Sequence, residues 1–191
     1  MPNHAALDPI SGWFENAIII PSPNFDYRPS ASIIDLIVIH SISLPPGQFG
    51  SDCIERFFKN DLDASAHPYF VSIEELKVSS HFLIERTGIL KQFVSTNMRA
   101  WHCGDSSFNG RTRCNDFSIG IELEGCDDIG FTEKQYTVLN HVLVELVGAY
   151  PNVSDERIVG HQDIAPRRKT DPGPHFDWDR TRNALNVQRL G

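Results

Sequence analysis

Between residues 33 and 39 the chain is almost unbroken Ile, Leu and Val, interrupted only by Asp35, and His40 stands at the end of the run. A stretch this apolar, without polar alternation, has no face to give to water, so it is predicted to be a strand buried on both sides. Burying both sides of a strand requires further layers of structure packed over it. The rest of the chain supplies them. His81 to Ile84 and Ile89 to Val94, separated by Thr87-Gly88, read as a hairpin, and Ser118 to Leu123 follows the same strand logic. Thr132 to Tyr150 is the strongest helix: Thr132 and Gln135 form a capping box, Tyr136, Leu139, Leu143, Leu146 and Tyr150 recur at helical spacing, and Pro151 ends it. A short strand around Ile158-Val159 leads into Gly160-His161, and Asp177 is placed to cap a last amphipathic helix. The expected fold class is α/β: a single domain with a central mixed β-sheet flanked by helices.

Length agrees with one domain over residues 1–191, since 191 residues stand close to the roughly 150 typical of a domain. Residues 1–31, with Pro21, Pro23 and Pro29, read as an extended, turn-rich N-terminal segment, and 177–191 as a C-terminal helix. Residues 43–80 hold one short helical stretch, with Asp52 as its cap and Ile54, Phe57 and Phe58 at helical spacing, inside long loops. A connection of that length is expected to be functional wall.

Charge and cysteine usage narrow the function. The formal net charge of −8 argues against a nucleic-acid partner, which asks for a basic stripe. No stretch is long and apolar enough for a membrane span or a signal peptide, so no membrane partner is expected. Cys53, Cys103, Cys114 and Cys126 form no CxxC pair and read as reduced thiols in a cytoplasmic protein. Nothing in the apolar pattern asks for a large interface, so a monomer is expected. Signatures of nucleotide binding, serine hydrolysis, zincin and deaminase chemistry are missing.

Histidines carry what remains. His40 ends a buried strand, so the sheet fixes its backbone where open α/β sheets bind ligands, at the carboxyl ends of strands. His161 has the same grammar, a short apolar strand, a glycine and an imidazole. Asp171 lies in Lys169-Thr170-Asp171-Pro172-Gly173-Pro174, a turn restricted by prolines. Two imidazoles and a carboxylate make a three-ligand catalytic zinc set that leaves the fourth position for water. Glu122, on the strand Ile119 to Leu123, shares a face with Gly120 and Glu124, and a buried carboxylate there acquires the raised pKa of a useful base. Lys169, at the end of Arg167-Arg168-Lys169, is placed to stabilise negative charge developing beside a metal.

These segments resemble the zinc-dependent N-acetylmuramoyl-L-alanine amidases. The resemblance is carried by Val38-Ile39-His40, His67-Pro68-Tyr69-Phe70, Ala100-Trp101-His102, the block Arg113 to Gly125, and Gly160-His161 through Pro174. It spans about Trp13 to Trp178 and is closest to the cytosolic type that acts on 1,6-anhydromuramoyl peptides in cell-wall recycling. It implies the fold shared with peptidoglycan-recognition proteins, and one zinc ion held by His40, His161 and Asp171. It also implies Glu122 as general base, Lys169 as transition-state lysine, and a small muropeptide as substrate. Substrate contacts fall on Arg113 and Ala165, with His81, Tyr69 and Trp101 as wall residues and Asn115 and Asp116 toward the sugar. Ser41 and Lys77 depart from the Asn and Arg of close relatives; Ser41 reaches less far, and Lys77 lacks the bidentate fork of arginine. Lys77, Arg113, Arg167, Arg168 and Lys169 on the site segments, together with the divalent metal, suggest a positive pocket for a carboxylate-bearing peptide. Two other readings stay open: a muropeptide-binding module of the same fold that does not cut, and a purely structural ion on the same ligands.

Overall fold

A computed structural model describes residues 6–189. Six strands form the central sheet: β1 (Ile18–Ile19), β2 (Leu36–Ile42), β3 (Phe82–Ile84), β4 (Leu90–Gln92), β5 (Ser118–Glu124) and β6 (Ile158–Gly160). Their order across the sheet is β6-β2-β5-β3-β4-β1. β6, β2, β5 and β3 run parallel, whereas β3 and β4 pair antiparallel as the hairpin, so the sheet is mixed as expected.

Side-chain alternation divides the molecule into layers. Ile37 and Ile39 of β2 and Ile119, Ile121 and Leu123 of β5 pack toward the helix α3 (Glu133–Ala149), meeting Leu139, Val142, Leu143 and Leu146. Each of these four helix residues is fully buried, which stabilises the fold by roughly 1.5–3 kcal/mol per side chain. Thr132 and Gln135 close the capping box at the start of α3. The other residues of β2 and β5, among them Leu36, Val38, His40, Gly120 and Glu122, face away from α3. On that side lie a cluster of Cys103, Cys114, Phe117 and Ile164, and another built on α1 (Cys53–Phe58) and α2 (Pro68–Val71). The last helices are α4 (His161–Ile164) and α5 (Trp178–Arg189), and Asp177 accepts the Arg180 N–H at the start of α5.

Several boundaries differ from expectation. β2 begins at Leu36, with Ile33 exposed, and it runs on to Ile42, so His40 lies inside the ladder. The start is displaced because the Asp35 carboxylate is held by Arg111 and Arg157, both at 2.6 Å. Asp52 precedes α1, but its φ/ψ of −88°/9° lies outside the extended region a capping residue needs, and its side chain makes no capping bond. The N-terminal segment is tied down: Leu7–Asp8 pairs with Trp13–Phe14, Phe25–Asp26 pairs with Arg99–Ala100, and the buried Gln92 amide bridges Phe14 and Gly12. Residues 1–5 of that segment, and the last two of the expected C-terminal helix, lie outside the described residues.

Candidate metal centre

The strand order explains how residues far apart in sequence meet. In β2 and β5 His40 stands directly opposite Glu122, and in β6 Gly160 stands opposite Ile39, so His161 emerges beside His40. Gly160 is bare for a reason: a Cβ there would lie 2.8 Å from Pro172 Cδ, so only glycine lets the Asp171-Pro172 turn close over the end of β6. That turn is pinned by the Gln162 N–H, which donates to the Asp171 carbonyl at 2.9 Å.

Three ligand-type atoms converge as a result. His40 Nδ1 and His161 Nδ1 are 2.9 Å apart, and each is 3.1 Å from Asp171 Oδ2. A tetrahedral centre with bonds near 2.0–2.1 Å needs its donors about 3.3 Å apart, so two imidazole nitrogens and one carboxylate oxygen fit a zinc ion in both chemistry and spacing. Both histidines are buried. Burial holds the His40 imidazole down, to about 4, against the upward pull of the Asp171 carboxylate beside it. Burial would raise the Asp171 carboxyl, but the His161 and His40 imidazoles set against its Oδ2 outweigh that and keep it well below the usual carboxylate range. His40 is therefore held neutral and Asp171 ionised, the protonation in which each can take up a metal.

The triad opens on a cavity of about 620 Å³. Its floor includes Ser41, Glu122 and Lys169, and its apolar wall comes from the 43–80 segment through Phe57, Tyr69, Ile73 and Leu76, with Trp101 beside it. Glu122 is 8% exposed and its Oε2 has no hydrogen-bond partner. Burial first, and the Asp171 carboxylate second, push its pKa well above the usual range, with the Lys169 ammonium pulling partly back. Lys169 is placed by its backbone N–H, which donates to the Ala165 carbonyl at 3.0 Å.

Of the expected substrate contacts, Ser41, Tyr69 and Trp101 line this cavity, whereas Arg113, Ala165, Lys77 and His81 are not among its lining residues. Arg113 is exposed, left-handed at φ 61°, and pairs with Asp116 at 3.3 Å. Ala165 is buried at the end of α4, where its carbonyl shapes the turn carrying Lys169. Lys77 points to solvent beside the lining residues Leu76 and Val78. His81 is fully buried, and its Nδ1 accepts the Gly120 N–H at 3.0 Å. Fewer basic side chains reach the cavity than expected: it carries Arg168 and Lys169 against Glu122, Asp127, Asp128 and Asp171, so its side chains without a metal do not make it cationic. Sequence reasoning missed Asp127 and Asp128, and it missed His102, whose Nδ1 is 2.9 Å from His40 Nε2. Its place directly after Trp101 was the available signal.

Among known proteins, the chain is 52% identical to the 1,6-anhydro-N-acetylmuramyl-L-alanine amidase AmpD of Haemophilus influenzae, over 84% of this chain and 88% of that one. It is 50% identical to the AmpD of Escherichia coli K12, over 90% and 93%. A crystal structure of selenomethionine AmpD superposes with a TM-score of 0.89 at 50% identity, covering 92% of this chain and 97% of that one. The amidase AmiD from Escherichia coli, solved with anhydro-N-acetylmuramic acid-L-Ala-D-gamma-Glu-L-Lys, matches with a TM-score of 0.59 at 28% identity over 82% and 60%. The family model for N-acetylmuramoyl-L-alanine amidases matches residues 29–174, a span that includes both histidines, the glutamate, the lysine and the aspartate of the cavity, and the chain belongs to that family.

Proposed function

We propose that the chain hydrolyses the amide bond between 1,6-anhydro-N-acetylmuramic acid and L-alanine in muropeptides, the reaction named by its AmpD relatives, as one domain acting as a monomer in cell-wall recycling. The observation that carries the reading is the meeting of His40, His161 and Asp171 within 3.1 Å beside the buried, unpartnered Glu122 in an open cavity. The first three residues would hold one zinc ion, whose contribution when bound is Lewis acidity toward water and the substrate carbonyl.

The protein's own groups do the rest. Glu122 accepts a proton from the attacking water and returns it to the departing alanine nitrogen, a role favoured by its raised pKa. Lys169 offers its ammonium to the oxyanion that develops on the lactyl carbonyl. Trp101, Tyr69 and the apolar wall exclude water from one side of the cavity, and Ser41 offers a hydroxyl on its floor. Four free cysteines fit a reducing cytoplasm, and among the described residues no helix is long and apolar enough to cross a membrane.

The test is incubation of purified protein with anhydromuropeptide, with and without a chelator, followed by mass analysis of the products. Chelator-sensitive release of free peptide is expected. Failure to release peptide from a zinc-loaded preparation would sink the assignment and leave a binding module.

A further inference from the structure

An imidazole coordinates a metal only through a bare nitrogen, so a histidine ligand must have its single proton parked on the other one. Without a metal, Asp171 Oδ2 faces both Nδ1 atoms and competes for their protons; the bias toward a bare Nδ1 comes from the opposite side of each ring, where two backbone carbonyls, which accept and never donate, stand at the ends of the network.

For His40 the constraint begins three contacts away. Ser118 Oγ lies 2.6 Å from the Cys114 carbonyl oxygen, so the hydroxyl proton is committed there. Toward its other neighbour, His102 Nε2 at 3.2 Å, Ser118 can only accept, which puts a proton on that nitrogen. His102 is buried, and its contacts are imidazole, thiol and hydroxyl, none of them anionic, so the ring is neutral and its Nδ1 is bare. That bare Nδ1 faces His40 Nε2 at 2.9 Å, so His40 donates. His40 Nδ1 is then left without a proton, and it is the atom that faces His161 and Asp171. His161 reaches the same state in one step: its Nε2 lies 3.1 Å from the Cys103 carbonyl, and the Arg168 guanidinium, 3.4 Å from that nitrogen, gives its shorter bond, 2.6 Å, to the same carbonyl, so Nε2–H donates there. Consecutive residues, His102 and Cys103, thus serve the two histidine ligands.

The fold is cut to hold His102 in place. A Cβ on Gly120 would lie 2.5 Å from His102 Nδ1, so the ring occupies space that only glycine leaves on β5. The backbone N–H groups of His102 and Cys103 both donate to Asn115 Oδ1, at 3.1 and 2.8 Å. Resting on the zinc reading above, we propose that His102 is a positioning residue of the metal centre, holding His40 in the tautomer and orientation that present a bare Nδ1.

The experiment compares wild type with His102→Phe, which keeps a ring and loses the acceptor, and His102→Asn, whose side-chain oxygen replaces Nδ1 as acceptor. In the metal-free, ¹⁵N-labelled proteins, long-range proton–nitrogen NMR correlations report the His40 tautomer. Zinc affinity is measured by competition with a chromophoric chelator. Wild type and His102→Asn are expected to show His40 protonated at Nε2. His102→Phe is expected to show mixed tautomers and about 10–100-fold weaker zinc binding, as loss of an outer partner of a ligand does. A folded His102→Phe that keeps the His40 tautomer and zinc affinity overturns the proposal, as does a folded His102→Asn that binds zinc as weakly as the Phe variant. Should His102→Phe not fold, Ser118→Ala removes the acceptor at the far end of the chain. Mixed tautomers at His102 and weaker zinc binding are then expected, and unchanged tautomers at both rings overturn the idea. A wild-type protein that takes up no zinc sinks the metal reading itself, an outcome distinct from any failure confined to the variants.

Discussion

Glu122 sits where a carboxylate is costly, buried near Asp171 with one oxygen unpartnered, and the proposed acid–base role accounts for that cost. Glu122→Gln preserves shape and removes the proton acceptor. Turnover of anhydromuropeptide is expected to fall by about 10²–10⁴-fold, the usual worth of a positioned acid–base group, while metal analysis still finds zinc in the protein. Retention of most of the turnover would remove Glu122 from the mechanism. His81 makes a different prediction. Burial first, and the nearby Arg28 guanidinium second, push its imidazole down to about 3, against about 6.5 in an unfolded chain. Its folded pKa is depressed, so its stabilising contribution is whole above pH 6.5 and drains away as pH falls, because the unfolded chain then binds the extra proton. His81→Asn keeps an acceptor for the Gly120 N–H and removes the titration. Denaturant unfolding of the variant between pH 6.5 and 5 is expected to lose stability less steeply than wild type, by up to about 1.4 kcal/mol per pH unit. At this scale His40, His161 and Asp171 were legible because each stands where backbone restriction is written locally, at a strand end or between prolines. His81 and Arg113 were not, since whether a side chain faces a cavity or the core depends on neighbours from other parts of the chain.

Elements divide in the same way. The long helix α3 carries its start, its stop and its buried stripe in its own residues, and it was readable almost to the residue. Thr132→Ala removes the acceptor of the Gln135 N–H and is expected to cost about 1 kcal/mol in denaturant unfolding without touching turnover. The paired dipeptides of the N-terminal segment left no such signal, because two-residue pairings are imposed by Gln92 and the Asp26–Arg99 ion pair. β5 shows the sharper case: all seven of its residues are buried, one face packed on α3 and the other lining the metal centre. Gly120→Ala puts a methyl group 2.5 Å from His102 Nδ1. Overpacking of this kind is expected to cost about 1–3 kcal/mol and to displace the ring, so zinc affinity falls along with stability. A variant with unaltered zinc affinity would show that β5 tolerates a side chain there.

For the whole molecule, the proposed ion ties together β2, the start of α4 and the turn after it. Whatever binds the folded state alone stabilises it by mass action, by about 2.7 kcal/mol at a free concentration a hundred times the dissociation constant. Zinc added to metal-free protein is therefore expected to raise the thermal midpoint, and His161→Ala is expected to abolish the rise. The α/β layering was legible from the apolar run of β2, whereas which charged side chains reach the cavity was not. A formal −8 and several basic segments suggested an acidic protein with a positive pocket, yet Arg113, Arg167 and Lys77 do not line the cavity and Asp127 and Asp128 do.

The strand order has one more consequence, and it concerns time. β2 lies between β5 and β6, so both its neighbours come from much later in the chain, and the two histidines of the candidate metal site are 121 residues apart. Loop closures of that length are slow and are made before the contacts that reward them. During synthesis, the N-terminal half of the chain holds β2 with neither partner, and His40 waits without its fellow ligands until β6 and the turn beyond it have emerged. The candidate metal site is thus expected to be completed late in folding, and zinc present throughout should slow unfolding while leaving the rate of refolding nearly unchanged.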